Sequence, residues 1–276
     1  MAEKSKRHRG QFNPENPSAY ELSRSRIENF IRCPACFYLQ QAKGIKFPGI
    51  PGFNLNDATD ILLKRDFDRY RGGQQTHPFL VKMGMGHLVP FAHEDFELWT
   101  QSMHFGSEGR MHTVHEESNI KFGGGLDDIW FNTETNELHI VDYKSTSQKT
   151  DGKQITLDDP WKAAYKRQMD MYVWVARQKG FDVSDIGYFV YVDAQHKDIE
   201  GMLIDEDPSK AWMEFSTSII PYEADTSWVE PTLMEIRVFL ENQTTCPEHT
   251  PKDGYSGCDV GRYAEQMMRA ISAPRT

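Results

Sequence analysis

The stretch that decides the reading runs from Gly123 to Thr146, "GGGLDDIWFNTETNELHIVDYKST". An apolar run through Leu126, Ile129 and Trp130 is followed by the turn-forming "NTETNE" and a second apolar run, "LHIVDYKST". This pattern predicts two strands joined by a short connection. Side chains alternate between the two faces of a strand, so Asp142 and Lys144 project together while Tyr143 points away. Asp127 lies on the first strand, just past a glycine bend, and adjacent antiparallel strands bring facing carboxylates within a few ångströms. The second strand therefore ends by aiming an anion and a cation at one spot, beside another acid.

Carboxylates held in this way suit Mg²⁺ or Mn²⁺, hard ions that take one or two carboxylates, keep several waters and accept further oxygens from a phosphate. Asp127 and Asp142 are the candidate ligands, and Lys144 is the candidate for orienting an attacking water or stabilising developing charge. Gly123, Gly124 and Gly125 would let a nucleic-acid backbone approach the acids, or would form no more than a flexible hairpin. Alternation turns Asp128 away from Asp127, which makes it a neighbour and not a ligand. Glu116 and Glu117, on the preceding strand, are either supporting acids or solvated.

Working outward, a strand near residues 112–121 is expected to form a hairpin limb with the strand after the glycines. Upstream, "SRSRIENFIRCPACFYLQ" predicts a helix with Ser23 or Ser25 as N-cap, interrupted or restarted by Pro34. A Gly- and Pro-rich loop leads to a second helix, "LNDATDILLKRDFDRYR", whose apolar positions are Ala58, Ile61, Leu62, Phe67 and Tyr70. Downstream, Asp159 and Pro160 open a strong helix that Lys179 and Gly180 close. "IGYFVYVDA" reads as a buried strand with "GMLIDED" as its neighbour, followed by helices near 208–219 and 229–242 and a loop-like tail. The order of elements fits an α/β fold with a mixed sheet.

The boundaries expected are a disordered basic arm over residues 1–19, one domain over 20–243, and a cysteine-bearing segment over 244–276 that packs near the N-terminal C-x-x-C. With 276 residues, 38% hydrophobic and 26% charged, the chain reads as a soluble globular protein with neither signal peptide nor membrane span, hence cytoplasmic. The net charge of −10 argues against a protein that coats nucleic acid by bulk electrostatics. A carboxylate cluster that binds divalent ions stays compatible with it, because the bound ion reverses the local sign. Arg24, Arg26, Arg32, Lys43 and Lys46 in the first segment, with Lys162, Lys166 and Arg167 later, are candidates for phosphate contact or simply a solvated face.

Three motifs, "GGLD" at 124–127, "VDYKS" at 141–145 and "QMDMY" at 168–172, together with the N-terminal "SRSRIENFIRCPACFYL", resemble the PD-(D/E)XK nuclease superfamily. Within it they resemble the RecB-like exonuclease branch that includes the CRISPR-associated adaptation nucleases. Each motif recurs by chance, but four in this order are specific. The resemblance implies a restriction-endonuclease-like central mixed sheet flanked by helices. It also implies metal-dependent hydrolysis of DNA, single-stranded or at ends, in repair, recombination or defence, with RNA not excluded and no membrane partner. Gln168 and Tyr172 match that branch's Q-x-x-x-Y motif and are implied to support the site and contact substrate.

One departure stands out. The branch places a histidine ligand in the helix before the core strands, and "NLNDATDILLKRDFD" has none, leaving Asp57, Asp60, Asp66, His77 or His87 as substitutes or that helix acid as merely exposed. Cys33, Cys36, Cys246 and Cys258 are candidates for a Zn²⁺ or iron–sulfur site, and His249 adds a mixed Cys/His alternative. Relatives in the branch often carry an iron–sulfur cluster with one early and three late cysteines, whereas here the division is two and two. The rival to a nuclease is a binding or assembly protein of the same fold whose chemistry has decayed.

Overall fold

A computed structural model describes residues 10–45, 47, 52–103, 108–148, 154–197, 199–249 and 258–272. Residues 1–9 of the expected arm and Lys46 lie outside them. In chain order the elements are β1 (Tyr20–Ser23), α1 (Arg24–Arg32), α2 (Pro34–Gln41), α3 (Asn54–Arg71), α4 (Pro78–Lys82), β2 (Leu88–Pro90) and α5 (Phe96–Trp99). These are followed by β3 (His112–His115), β4 (Ile120–Gly123), β5 (Asp128–Asn132) and β6 (Leu138–Thr146). A 3-10 turn, Pro160–Lys162, leads into α6 (Ala163–Gln178), then β7 (Ile186–Ala194), β8 (Leu203–Ile204), β9 (Asp207–Ala211), β10 (Phe215–Glu223), α7 (Val229–Asn242) and α8 (Asp259–Ser272). They fall into two units, one of Met1–Ile50, His112–Gly123 and Ser227–Thr276, the other of Pro51–Met111 and Gly124–Thr226.

The second unit is built on a five-stranded sheet in the order β10-β7-β6-β5-β2. β6 and β7 run parallel, and the other pairs are antiparallel, so the sheet is mixed. A parallel neighbour requires a crossover, and the helix opened by Pro160 supplies it as α6. One face of the sheet carries Trp130, Val141, Tyr143 and Val190, which pack with Phe67 of α3 and Leu80 of α4. The opposite face receives α6 so closely that a Cβ at Gly187 of β7 would stand 2.3 Å from the Met169 sulfur. A central mixed sheet flanked by helices is the restriction-endonuclease-like arrangement expected.

The first unit holds a three-stranded sheet, β1-β4-β3, and, among the described residues, the helices α1, α2, α7 and α8, of which the first three meet in an aromatic core. Phe30 meets Phe37 and Phe239 edge-on at 5.1 and 5.2 Å. Pro34 restarts the helix as expected, with Cys33 extended between α1 and α2. Phe12, inside the segment expected as an arm, is buried, and its N–H donates to the Gln41 carbonyl at 2.7 Å.

Four expectations about elements are corrected. β3 pairs with β4 through a turn at residues 116–119, with Asn119 at φ 50°, while β4 and β5 belong to different sheets, so no hairpin spans the glycines. Residues 208–219 are not a helix: 208–211 belong to β9 and 215–219 to β10, and β10 pairs with β7 over nine positions, a ladder that outweighs local helical spacing. "GMLIDED" does not neighbour β7, since β8 pairs with β9 in a separate two-stranded sheet. The tail is not all loop, because α8 follows Cys258. Among the described residues no helix is long and apolar enough to cross a membrane.

Candidate active site

The β5/β6 register sets Asp128 opposite Val141, and Asp127, expected on the strand, immediately precedes β5. Asp127 Oδ2 accepts the Tyr143 N–H at 3.0 Å, which fixes the acid against the end of β6. Asp142 is 1% exposed. Its Oδ1 accepts the Gln168 side-chain amide of α6 at 2.5 Å, and its Oδ2 pairs with the Lys144 ammonium. Lys144 also sits 4.8 Å above the Tyr165 ring, a cation–π contact that holds the ammonium between helix and sheet.

α3 adds two residues to this group. Lys64 Nζ lies 2.8 Å from Asp60 Oδ2 and 3.1 Å from Asp127 Oδ1. Three carboxylates, Asp60, Asp127 and Asp142, therefore share two ammoniums, Lys64 and Lys144. Burial and the nearby Asp127 charge push the Asp60 carboxyl above its ordinary range, against Lys64 and Lys144. Burial works against the Lys64 charge, but Asp127 and Asp60 outweigh it and raise its pKa.

The same helix explains how these side chains arrive. Asp60, Lys64, Phe67 and Arg71 recur every three to four residues and form one stripe. Phe67 stacks on Trp130 at 5.4 Å and Tyr143 at 5.8 Å, so the helix is anchored by the apolar member. Arg71 donates to Asp128 Oδ1 at 2.7 Å, and the Tyr143 hydroxyl donates to Asp128 Oδ2 at 2.6 Å. Asp128 is thus a fully buried acid turned from Asp127 and saturated by its own partners. Its pKa is raised because burial outweighs the Arg71 charge. Ile61 and Leu62, read as apolar-face positions, are exposed instead.

Tyr172 donates to the Gly125 carbonyl at 2.7 Å, gripping the segment that delivers Asp127. A Cβ at Gly124 would stand 2.8 Å from the Tyr172 oxygen, and one at Gly125 the same distance from the Thr100 carbonyl oxygen. Neither glycine has a positive φ. Both are packed closely within the protein, and neither has the left-handed conformation of a sharp glycine turn.

Of the candidates for the missing helix histidine, only Asp60 joins the group. Asp57 is exposed, and Asp66 pairs with Arg69. His77 caps α4, accepting the Phe79 N–H, and stacks on Phe67 at 4.5 Å, while the His87 carbonyl accepts from Thr133. Glu116 and Glu117 are exposed in the β3–β4 turn.

In the other unit, the ligand atoms of Cys33, Cys36, His249 and Cys258 all lie within 4.8 Å of one another. Cys36 and Cys258 sulfurs are 3.2 Å apart, and His249 Nδ1 is 3.5 Å from Cys33 and 3.6 Å from Cys36. Burial pushes the Cys33 and Cys36 thiols up. Cys246 is not in the group: it is exposed, with its sulfur 4.0 Å from the Ala35 carbonyl. His249 stands in its place.

No curated protein matches the chain significantly. The sequence model for the PD-(D/E)XK nuclease superfamily matches residues 85–225, about half of the chain. The match contains Asp127, Asp142, Lys144, Gln168 and Tyr172, and leaves out Asp60 and Lys64 on α3. With an aspartate facing the D-x-K strand across a mixed sheet, and the matched region covering that sheet, the chain belongs to the PD-(D/E)XK nuclease superfamily.

Proposed function

We propose that the protein is a Mg²⁺- or Mn²⁺-dependent nuclease that hydrolyses DNA phosphodiester bonds in exonuclease fashion, from the RecB-like branch. The observation that carries this reading is the set of Asp142 on β6 and Asp127 just before β5, held against β6 by the Tyr143 N–H, with Lys144 on the same face as Asp142. The donor chemistry fits a hard divalent ion, since Asp60, Asp127 and Asp142 all offer carboxylate oxygens. Asp127 and Asp142 would hold the ion, with Asp60 beside them. When bound, such an ion supplies Lewis acidity that acidifies water and offsets charge on the phosphoryl oxygens.

The remaining work falls to the chain's own side chains. Gln168 holds one oxygen of Asp142, which leaves the other directed at the Lys144 side. Lys144, steadied by Tyr165, has N–H donors to orient a water or a phosphate oxygen. Lys64 brings a second ammonium toward the same acids, useful where a polyanionic substrate must approach carboxylates. Tyr172 acts through the Gly125 carbonyl and Gln168 through Asp142, so both are read as positioning residues. The exonuclease assignment and the DNA substrate rest on the likeness of "VDYKS" and "QMDMY" to the RecB-like branch.

The test is cleavage of end-labelled single- and double-stranded DNA and of RNA with Mg²⁺, Mn²⁺ or EDTA, comparing the native chain with Asp142→Ala and Lys144→Ala. Metal-dependent cleavage by the native chain, lost in both variants, supports the assignment, and the product ladder separates exonuclease from endonuclease. Binding without cleavage by the native protein, or equal cleavage by the variants, would hand the assignment to the non-catalytic binding protein.

A further inference from the structure

We infer that Cys33, Cys36, Cys258 and Nδ1 of His249 bind a single zinc ion, in a site that excludes Cys246 and does not accommodate an iron–sulfur cluster. The resemblance to the RecB-like branch leads to the expectation of a cluster held by four cysteines, and the geometry disagrees with it. In a 4Fe–4S cluster each thiolate ligates a different iron and in a 2Fe–2S cluster each iron takes two ligands, so in either the body of iron and sulfide holds ligands of different irons farther apart than ligands of one ion. Here four ligand atoms lie mutually within 4.8 Å, and two of the sulfurs are 3.2 Å apart.

A lone ion meets these distances. Tetrahedral zinc with Zn–S of about 2.3 Å and Zn–N of about 2.05 Å sets sulfur and nitrogen roughly 3.5 Å apart, and two sulfurs roughly 3.8 Å apart. The two observed S···N separations are 3.5 and 3.6 Å. The Cys36–Cys258 pair, at 3.2 Å, must open by about half an ångström on that tetrahedral geometry, and the other pairs all lie within 4.8 Å. Three soft thiolates and one imidazole form a donor set suited to zinc and unlike the oxygen-only group around Asp127 and Asp142.

The surroundings are built to the same end. Cys33 and Cys36 are buried, with Cys36 in the first turn of α2 and the Cys33 carbonyl accepting the Phe37 N–H at 3.0 Å. The Gly261 N–H, in the first turn of α8, points at the Cys258 sulfur from 3.3 Å, a donor that stabilises a thiolate. A Cβ on Gly261 would stand 2.4 Å from the His249 Cβ, so the absence of a side chain is what lets the imidazole lie there. The contacts join positions 213 to 222 residues apart. An ion in this site ties early and late segments of the chain together and removes the loop-closure entropy that otherwise opposes their pairing.

Elemental analysis of the purified full-length protein, with acid-labile sulfide and free-thiol counts, tests this directly. The expected result is about one zinc per chain without labile sulfide. Zinc should be lost in His249→Ala, kept in His249→Cys, which restores a ligand, and kept in Cys246→Ser. Replacement by Co²⁺ should give the absorption of a tetrahedral site with thiolate-to-metal charge transfer. Iron with stoichiometric sulfide, or metal lost in Cys246→Ser, would overturn the inference. So would a metal-free native chain whose melting temperature is indifferent to added Zn²⁺ and to chelators, or a Cys36–Cys258 disulfide revealed by the thiol count. None of these readouts uses nuclease activity, so the zinc site and the proposed reaction stand or fall separately.

Discussion

Lys64 holds its ammonium 3.1 Å from Asp127, linking a helix outside the family match to the acid that faces Asp142. A cation so placed competes with any divalent ion at Asp127. Replacement by Met removes the competitor and should tighten Mn²⁺ binding roughly tenfold, about 1.4 kcal/mol, while Asp60→Asn should weaken it. Calorimetric titration with Mn²⁺ measures both. Unchanged affinity in both variants would remove α3 from the site.

Gln168 acts on Asp142 through one short hydrogen bond. Outer partners of a ligating carboxylate typically affect affinity or activity by 10- to 100-fold, and Gln168→Ala should lose about tenfold in Mn²⁺ affinity. Gln168→Glu should lose more, because it sets a second negative charge against Asp142 in a buried place. Titration of the two variants against the native chain ranks them.

Asp128 and Asp127 are adjacent in sequence and should behave oppositely. Arg71→Met leaves the Asp128 carboxylate buried with its charge uncompensated, a change that costs about 3–5 kcal/mol of stability. Mn²⁺ affinity should be unaffected, since Asp128 faces Tyr143 and Arg71. Denaturant unfolding together with metal titration distinguishes this from Asp127→Ala, for which the pattern reverses.

Gly125→Ala drives a Cβ into the Thr100 carbonyl, a backbone atom that cannot swing aside. The overpacking should destabilise the fold by about 1–3 kcal/mol. Gly124→Ala meets the hydroxyl of Tyr172, a movable side-chain end, and should cost less stability while releasing the Gly125 carbonyl. Thermal melts of the two variants give the order directly.

His139 is buried, and desolvation lowers its pKa from 6.5. The folded state therefore favours neutral imidazole, and the unfolded chain binds the proton more readily below pH 6.5. Its contribution to stability is present above that pH and is lost as the pH falls from there through the folded value. Melting temperature should decline across this window. His139→Asn, which keeps a donor for the Ile186 carbonyl, should flatten the decline without abolishing the fold.

Asp60 and Lys64 show what kind of information a local pattern lacks. Asp60 was one of several acids on α3, and nothing within that helix separated it from Asp57 or Asp66. Lys64 carried no signal of its own, because a lysine four residues after an aspartate reads as an ordinary surface pair. The stripe Asp60, Lys64, Phe67 and Arg71 faces the sheet although Ile61 and Leu62, which are exposed, make a more apolar face in the sequence. Likewise the Gly-rich bend was legible as special, but its purpose depends on Tyr172 and Thr100, residues distant in the chain.

By itself the sequence determined the face-sharing of Asp142 and Lys144, the opposition of Asp127 across a short connection, and the one-face pairing of Gln168 with Tyr172. All three follow from fixed side-chain periods of strand and helix acting over a few residues. Tertiary structure alone decided which acid of α3 reaches the site, that residues 215–223 are a strand against β7, and that His249 rather than Cys246 meets the other cysteines. Those outcomes depend on contacts between residues tens to hundreds of positions apart, where packing and hydrogen-bond pairing outweigh the local preferences that a sequence displays.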